Sequence, residues 1–291
     1  MAENGSNVEK FLLRLTSFYR PAAEKDFAEV STFAGVALEP WDYNYFAEKL
    51  RLKSYGYNEE ELKPYFTMDN AIKGAFFAAS KRYGIKFIER KDLPLWHSSV
   101  RAYEVQDRDG KTVSLFYLDP FPRDSKRDGA WMEQLRNGGT FAGKRRIPHV
   151  LNAGNFNPPE EGQPALLTFS DIVTLFHEIG HGLHGMLSKA RFMSLFGTNV
   201  AWDAVELPSQ LNEFWASEPE VLNEYALHYQ TAERIPDELV QKVRRAENFQ
   251  AGYKGLRQIA FAMLDLGWHW QDVSQVRSKD EVQAWERKWA E

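Results

Sequence analysis

The chain of 291 residues has no cysteine, which excludes disulfides and any Cys-ligated metal site. It has no apolar run approaching the ~18 residues of a membrane span. Its opening Met1-Ala2-Glu3-Asn4-Gly5-Ser6 lacks signal-peptide character. A cationic excess is missing too: 36 Lys and Arg stand against 41 Asp and Glu, a formal charge of −5. That balance argues against nucleic acid as a main partner. Together these absences predict a cytoplasmic protein that engages neither membrane nor nucleic acid, and a monomer is the expectation for it. With 43% hydrophobic and 14% aromatic residues, the composition still supplies an ample core.

Histidine is scarce as well, at seven residues, so two histidines in one short motif stand out. Phe176-His177-Glu178-Ile179-Gly180-His181 is an H-E-x-x-H pattern. Around it Ile172, Leu175, Phe176, Ile179, Leu183, Met186 and Leu187 recur at helical spacing and define one apolar stripe. His177, His181 and His184 then fall on the opposite side, facing a cleft, with Glu178 on the flank. Thr168 or Ser170 can cap the helix start, and Asp171 suits its positive end. Residues four apart share a helix face, so both imidazoles of the motif can reach one Zn²⁺. The glutamate between them can take a proton from water at the open position. Gly180, Gly182 and Gly185 each cost about 1 kcal/mol against alanine inside a helix, so something must approach this backbone closely.

Elsewhere the patterning predicts a mainly α protein with a small β-sheet, an α+β chain forming one catalytic-core unit in three consecutive regions. Residues 1–84 read as helical. One stripe comprises Phe11, Leu12, Leu15, Phe18 and Tyr19, and Pro21 opens a second helix. Further helices run from Pro40 to Tyr55, from about Glu59, and from Asn70 to Tyr83, closed by Gly84. Residues 85–169 read as a sheet of four or five strands: Ile85–Ile88, Val100–Val105, Val113–Leu118, His149–Leu151 and Ala165–Phe169. Asp109-Gly110 between two alternating runs is a hairpin signal. Residues 170–291 read as helical again, over Asp203–Glu218, Ala226–Glu233, Pro236–Phe249, Tyr253–Asp272 and Lys279–Trp289. A small sheet before the histidine helix offers an edge strand on which an extended peptide can pair, and Asn155 is a candidate substrate-binding residue.

A catalytic zinc usually takes three protein ligands. Without cysteine, the third is a histidine or a carboxylate. A histidine six residues after His181 would fall at Leu187, which excludes that arrangement. His184 lies on the same face and either competes as a ligand, lines the cleft or bonds a backbone carbonyl. Glu206 is the best-placed carboxylate, 29 residues after His177, far enough for the chain to return antiparallel. Asp203 and Glu213 share its face if the segment is helical, and either can orient a ligand imidazole or form an ordinary salt bridge.

At this point a resemblance is specific. Phe176 to His184, followed by Val205-Glu206-Leu207-Pro208-Ser209-Gln210, resembles the thimet oligopeptidase family of zinc metallopeptidases, in its oligopeptidase A and peptidyl-dipeptidase branch. Phe116-Tyr117, Asp124-Ser125-Lys126, Gly129-Ala130-Trp131-Met132, Trp96-His97, Val100-Arg101 and Ala226-Leu227-His228-Tyr229 extend it along the chain. The resemblance implies a zincin-like core in which His177, His181 and Glu206 bind one Zn²⁺ and Glu178 is the general base. Short peptides would be the substrates, with release of C-terminal dipeptides favoured over internal cleavage by the similarity around Asp119 to Met132. Members of that family are longer at both ends and carry, beyond Glu206, a glycine-rich segment with a histidine and closely spaced tyrosines. Here Tyr253 is the only tyrosine after Tyr229, so the resemblance also implies a truncated core with weak turnover by itself. The competing reading is a truncated, non-catalytic helical protein whose histidines are structural or bind zinc only for stability.

Overall fold

Most of the helical periodicity becomes helix, and most of the alternation becomes strand, in the computed structural model, which describes residues 2–56, 59–274 and 276–290. The expected helical run through Thr67 crosses Tyr57 and Asn58, which lie outside the described residues. Helices α1 (Gly5–Ala34), α2 (Tyr43–Tyr55), α3 (Glu59–Leu62) and α4 (Met68–Tyr83) come first. Strands β1 (Lys86–Glu89), β2 (Arg101–Gln106), β3 (Thr112–Asp119), β4 (Trp131–Arg136), β5 (Gly139–Phe141), β6 (Lys144–Arg146) and β7 (His149–Ala153) follow. Then come α5 (Phe169–Leu187), α6 (Trp202–Val205), α7 (Leu207–Glu213), α8 (Pro219–Tyr225), α9 (Asp237–Glu247), α10 (Ala251–Trp270) and α11 (Lys279–Ala290). The class is the expected α+β. No helix among the described residues is long and apolar enough to cross a membrane.

The chain divides into two compact units, residues 1–57 with 241–291, and residues 58–240. This division does not follow the three consecutive regions read from the sequence. In the first unit α1 pairs with α10. Gly252 of α10 comes so close to α1 that a Cβ on it would lie 2.7 Å from the nitrogen of Ala23. Pro21 does not open a second helix as expected: it sits inside one continuous α1. An interior proline costs about 3 kcal/mol, and packing of the flanking turns, where Ala23 is 3% exposed, offsets that cost. The expected stripe is also only partly inward. Leu12 is buried, whereas Phe11 and Phe18 are 59% and 67% exposed.

The second unit holds the sheet, in the order β1-β2-β3-β7-β4. β2 and β3 form the hairpin announced by Asp109-Gly110, and Gly110 takes φ +76°. β3 and β7 are parallel, and β4 returns antiparallel to β7 as an edge strand. Neither β4 nor the β5–β6 hairpin was anticipated. Leu135 of β4 is 50% exposed while its polar neighbour Gln134 turns inward, which defeats an apolar-in pattern. Ala165–Phe169 is not a strand: it makes one isolated bridge, Leu166 to Thr67, and Phe169 already begins α5. Ala226–Glu233 is not a helix either. Its backbone groups bond across a turn, His228 N–H to Glu233 C=O at 2.7 Å and Ile235 N–H to Ala226 C=O at 2.9 Å. The expected helix over Asp203–Glu218 is broken into α6, α7 and a 3₁₀ turn at Phe214–Ala216.

α5 is the centre of this unit and lies against α4, β3, β4, β7 and α7. Its start is a capping box: Asp171 N–H donates to Thr168 Oγ1 at 3.1 Å, and Thr168 N–H donates to Asp171 Oδ2 at 2.9 Å. Ile172, Leu175, Phe176, Ile179, Leu183 and Met186 are all buried. The glycine argument holds at Gly180, where a Cβ would lie 2.7 Å from Ser209 Cα and 2.9 Å from Pro208 O. Two backbones meet there, and neither can yield as a side-chain tip can. Gly180→Ala is therefore expected to destabilise the protein by about 1–3 kcal/mol despite alanine's better helix propensity, measurable as a lower urea midpoint.

Candidate metal centre

The close contact at Gly180 brings the residue preceding α7 onto the histidine face of α5. Glu206 is that residue. Its Oε2 lies 3.2 Å from His177 Nε2 and 3.1 Å from His181 Nε2. One ligand atom from each of His177, His181 and Glu206 lies within 4.8 Å of the others, the only such group of three among the described residues. Ligand bonds of about 2.0–2.2 Å in a tetrahedron place neighbouring donors about 3.3 Å apart. The observed spacings therefore fit a zinc-sized cation.

Two of the three donors are held by a second contact. Glu213 Oε1 lies 2.6 Å from His177 Nδ1. The carboxylate can only accept, so Nδ1 carries the proton and Nε2 keeps its lone pair for a metal. Ser209, fully buried, donates toward Glu206, its Oγ 2.8 Å from Oε2 and 2.9 Å from the main-chain oxygen. Burial pulls the pKa of His181 down, outweighing Glu206, and favours the neutral, ligating imidazole. Its Nδ1 is buried without a hydrogen-bond partner. The helix itself is pinned from both sides. Asn152 Nδ2 donates to Glu178 C=O at 2.5 Å, and Asn212 Nδ2 donates to Phe176 C=O at 2.6 Å. Second contacts to ligands are typically worth 10–100-fold in metal affinity. Glu213→Gln is expected to weaken zinc binding by about that factor, measured by competition with a chromophoric chelator.

Glu178 is 8% exposed, and its Oε2 has no partner. Burial pushes its carboxyl up to about 7; His177 opposes the rise and Glu206 adds to it. A carboxylate at this position, beside two imidazoles and shielded from water, is poised near neutrality to exchange a proton. The cavity in front of it has a volume of about 380 Å³ and is lined by His177, Glu178 and His181, by Trp131 and Met132 of β4, and by Trp202 and Glu206.

Of the residues expected here, the structure brings together His177, Glu178, His181, Glu206 and Glu213. Asp203 lies on exposed α6 and is not among the metal-donor group. His184 turns into a separate cavity of about 320 Å³ with Tyr83, Leu187 and Pro208, and its Nδ1 has no hydrogen-bond partner. Asn155 does not line the centre. Its amide donates to the carbonyls of Arg127 and Gly129, at 2.8 and 2.7 Å. Ser209, Asn152, Asn212 and the β4 rim had no assigned role. Ser209 is three residues from Glu206 and so within reach of spacing arguments, whereas Asn152, Asn212 and β4 meet α5 from distant elements, and such contacts leave no periodic trace.

Comparison with known proteins agrees with this geometry. The chain matches Peptidase family M3 over residues 1–291. It is 39% identical to the dipeptidyl carboxypeptidase of Escherichia coli strain K12 over 275 residues, covering 92% of this chain and 40% of that protein. It is 42% identical over 279 residues to oligopeptidase A of the same strain, with 92% and 41% covered. A probable cytosolic oligopeptidase A of Arabidopsis thaliana is 38% identical over 286 residues, with 92% and 41% covered. The chain thus spans about two-fifths of the length of these curated relatives. With a whole-length match and the His-His-Glu group of its site, this chain belongs to peptidase family M3.

Proposed function

We propose that the chain carries the metal centre of a zinc metallopeptidase for short oligopeptides. The observation that carries this reading is the convergence of His177, His181 and Glu206 beside a buried, unpartnered Glu178. His177 Nε2, His181 Nε2 and a carboxylate oxygen of Glu206 would hold one Zn²⁺. The bound metal would polarise a peptide carbonyl and acidify a water molecule. Glu178 accepts a proton from water through its carboxylate and passes it to the departing amide nitrogen. Glu213 keeps His177 in the required tautomer through this cycle. The free outer edge of β4 gives an extended peptide a row of backbone groups to pair with, and Trp131 and Met132 place that edge at the cavity. The name of the Arabidopsis relative supports a cytosolic location.

The finer reading is release of C-terminal dipeptides, supported by the similarity to dipeptidyl carboxypeptidase. Internal cleavage is the second reading, supported by the similarity to oligopeptidase A. A hexapeptide offered with a free and with an amidated C-terminus separates them. Dipeptide release only from the free acid is expected; equal internal cleavage of the amide would overturn the finer reading.

A further inference from the structure

Since β7 lies between β3 and β4, the segment joining those two strands must cross the end of β7. That crossing, residues 120–130, is polar and is held by buried ionic groups rather than by an apolar anchor. The side chains of Lys126 and Asp119 are each 3% exposed. Lys126 Nζ donates to Asp119 C=O at 2.7 Å, Phe121 C=O at 2.8 Å and Asp119 Oδ1 at 3.1 Å. Asp119 also accepts two bonds from Arg123, at 2.8 and 2.6 Å, and one from Trp96 Nε1 at 3.0 Å. Burial pushes the Asp119 carboxyl up, but its bonds to Arg123, Trp96 and Lys126 outweigh that and leave it at about 2. At the other end, Asn155 on the exit from β7 ties down Arg127 and Gly129 through their carbonyls. The next residues, Ala130, Trp131 and Met132, line the metal centre.

None of these polar groups is used by the proposed chemistry. A buried ion pair is weak evidence for stability, since apolar replacements are often neutral or better, and its best-attested use is to set register. Register is what β4 needs. It is six residues long, and its pairing with β7 shifts between Gln134 and Arg136. A slip of one residue would exchange the faces of Trp131 and Met132. We propose that Lys126 and Asn155 are positioning residues that hold Ala130–Met132 as the rail for peptide beside the metal centre. The inference rests on the reading that this edge takes the peptide.

The test compares two probes on the zinc-loaded protein: acetohydroxamate, which needs only the metal, and a hydroxamate carried on a tripeptide, which also needs the rail. Losing the two hydrogen bonds of Asn155 or the three of Lys126 is worth roughly tenfold or more. Asn155→Ala and Lys126→Met are each expected to weaken the tripeptide probe about tenfold while leaving zinc content and acetohydroxamate affinity unchanged. A merely structural role would move both probes together and would overturn the inference. So would a folded Asn155→Ala protein that binds the tripeptide probe as the parent does. This half-buried amide decides the matter if Lys126→Met fails to fold. If the parent gains nothing from the tripeptide over acetohydroxamate, the edge-strand reading fails first and takes the inference with it.

Discussion

Glu178→Gln is expected to keep zinc bound and to lower kcat/KM for a quenched oligopeptide by about 10²–10⁴-fold, the usual range for a positioned general base. The argument is local. Glutamine preserves the shape of a side chain that is 8% exposed, but it cannot accept the proton at Oε2. The three metal donors belong to other residues, and the bond from Asn152 is to the main chain of Glu178, so neither the metal nor the helix depends on the carboxylate. The ratio is taken against the parent in the same polypeptide, with zinc measured by atomic absorption in both. Activity within threefold of the parent, at equal zinc, would remove Glu178 from the mechanism.

The second large effect concerns stability without metal. An unfolded Glu178 titrates near 4.5, whereas burial holds the folded carboxyl at about 7. Below 4.5 both states are protonated, and the group contributes nothing. Between 4.5 and 7 the folded state binds the extra proton, so stability falls as pH rises through that window. Above 7 both states are ionised and the full penalty remains. At about 1.4 kcal/mol per pH unit this amounts to about 3 kcal/mol. In EDTA, Glu178→Gln should therefore be more stable than the parent at pH 8, by up to about 3 kcal/mol, and indistinguishable from it near pH 4.5. Urea denaturation at the two pH values measures this. Zinc should narrow the gap at pH 8, because a cation favours the ionised carboxylate. Equal stability of both proteins at pH 8 in EDTA would show that Glu178 is not held in an apolar site.

The metal helix was legible because its signals are local. The apolar stripe, the Thr168–Asp171 capping box and the costly glycines all lie within 20 residues, and each corresponds to a short-range force. Glu206 could be singled out only from its type, its spacing and the resemblance. Its partner Ser209 lies only three residues on, in the first turn of α7, a local contact within reach of spacing arguments that the sequence reading did not assign. Pro21 misled for the converse reason: its local cost is real, but packing against α10 overrides it. β4 was missed because an edge strand beside a site exposes Leu135 and turns Gln134 inward, reversing the pattern that identifies strands.

By itself, then, the sequence determined the α5 helix, its two imidazoles on one face with a glutamate between them, and the mainly helical class with a small sheet. Caps, periodicity and turn chemistry act over a few residues and can be read from a few residues. Only the tertiary structure decided that Glu213 holds His177, that His184 turns into another cavity, and that Asn155 braces the crossing into β4. Those outcomes depend on α7 and β4 meeting α5 at angstrom distances. Such contacts arise from the packing of many elements at once, and no single stretch of the chain encodes them.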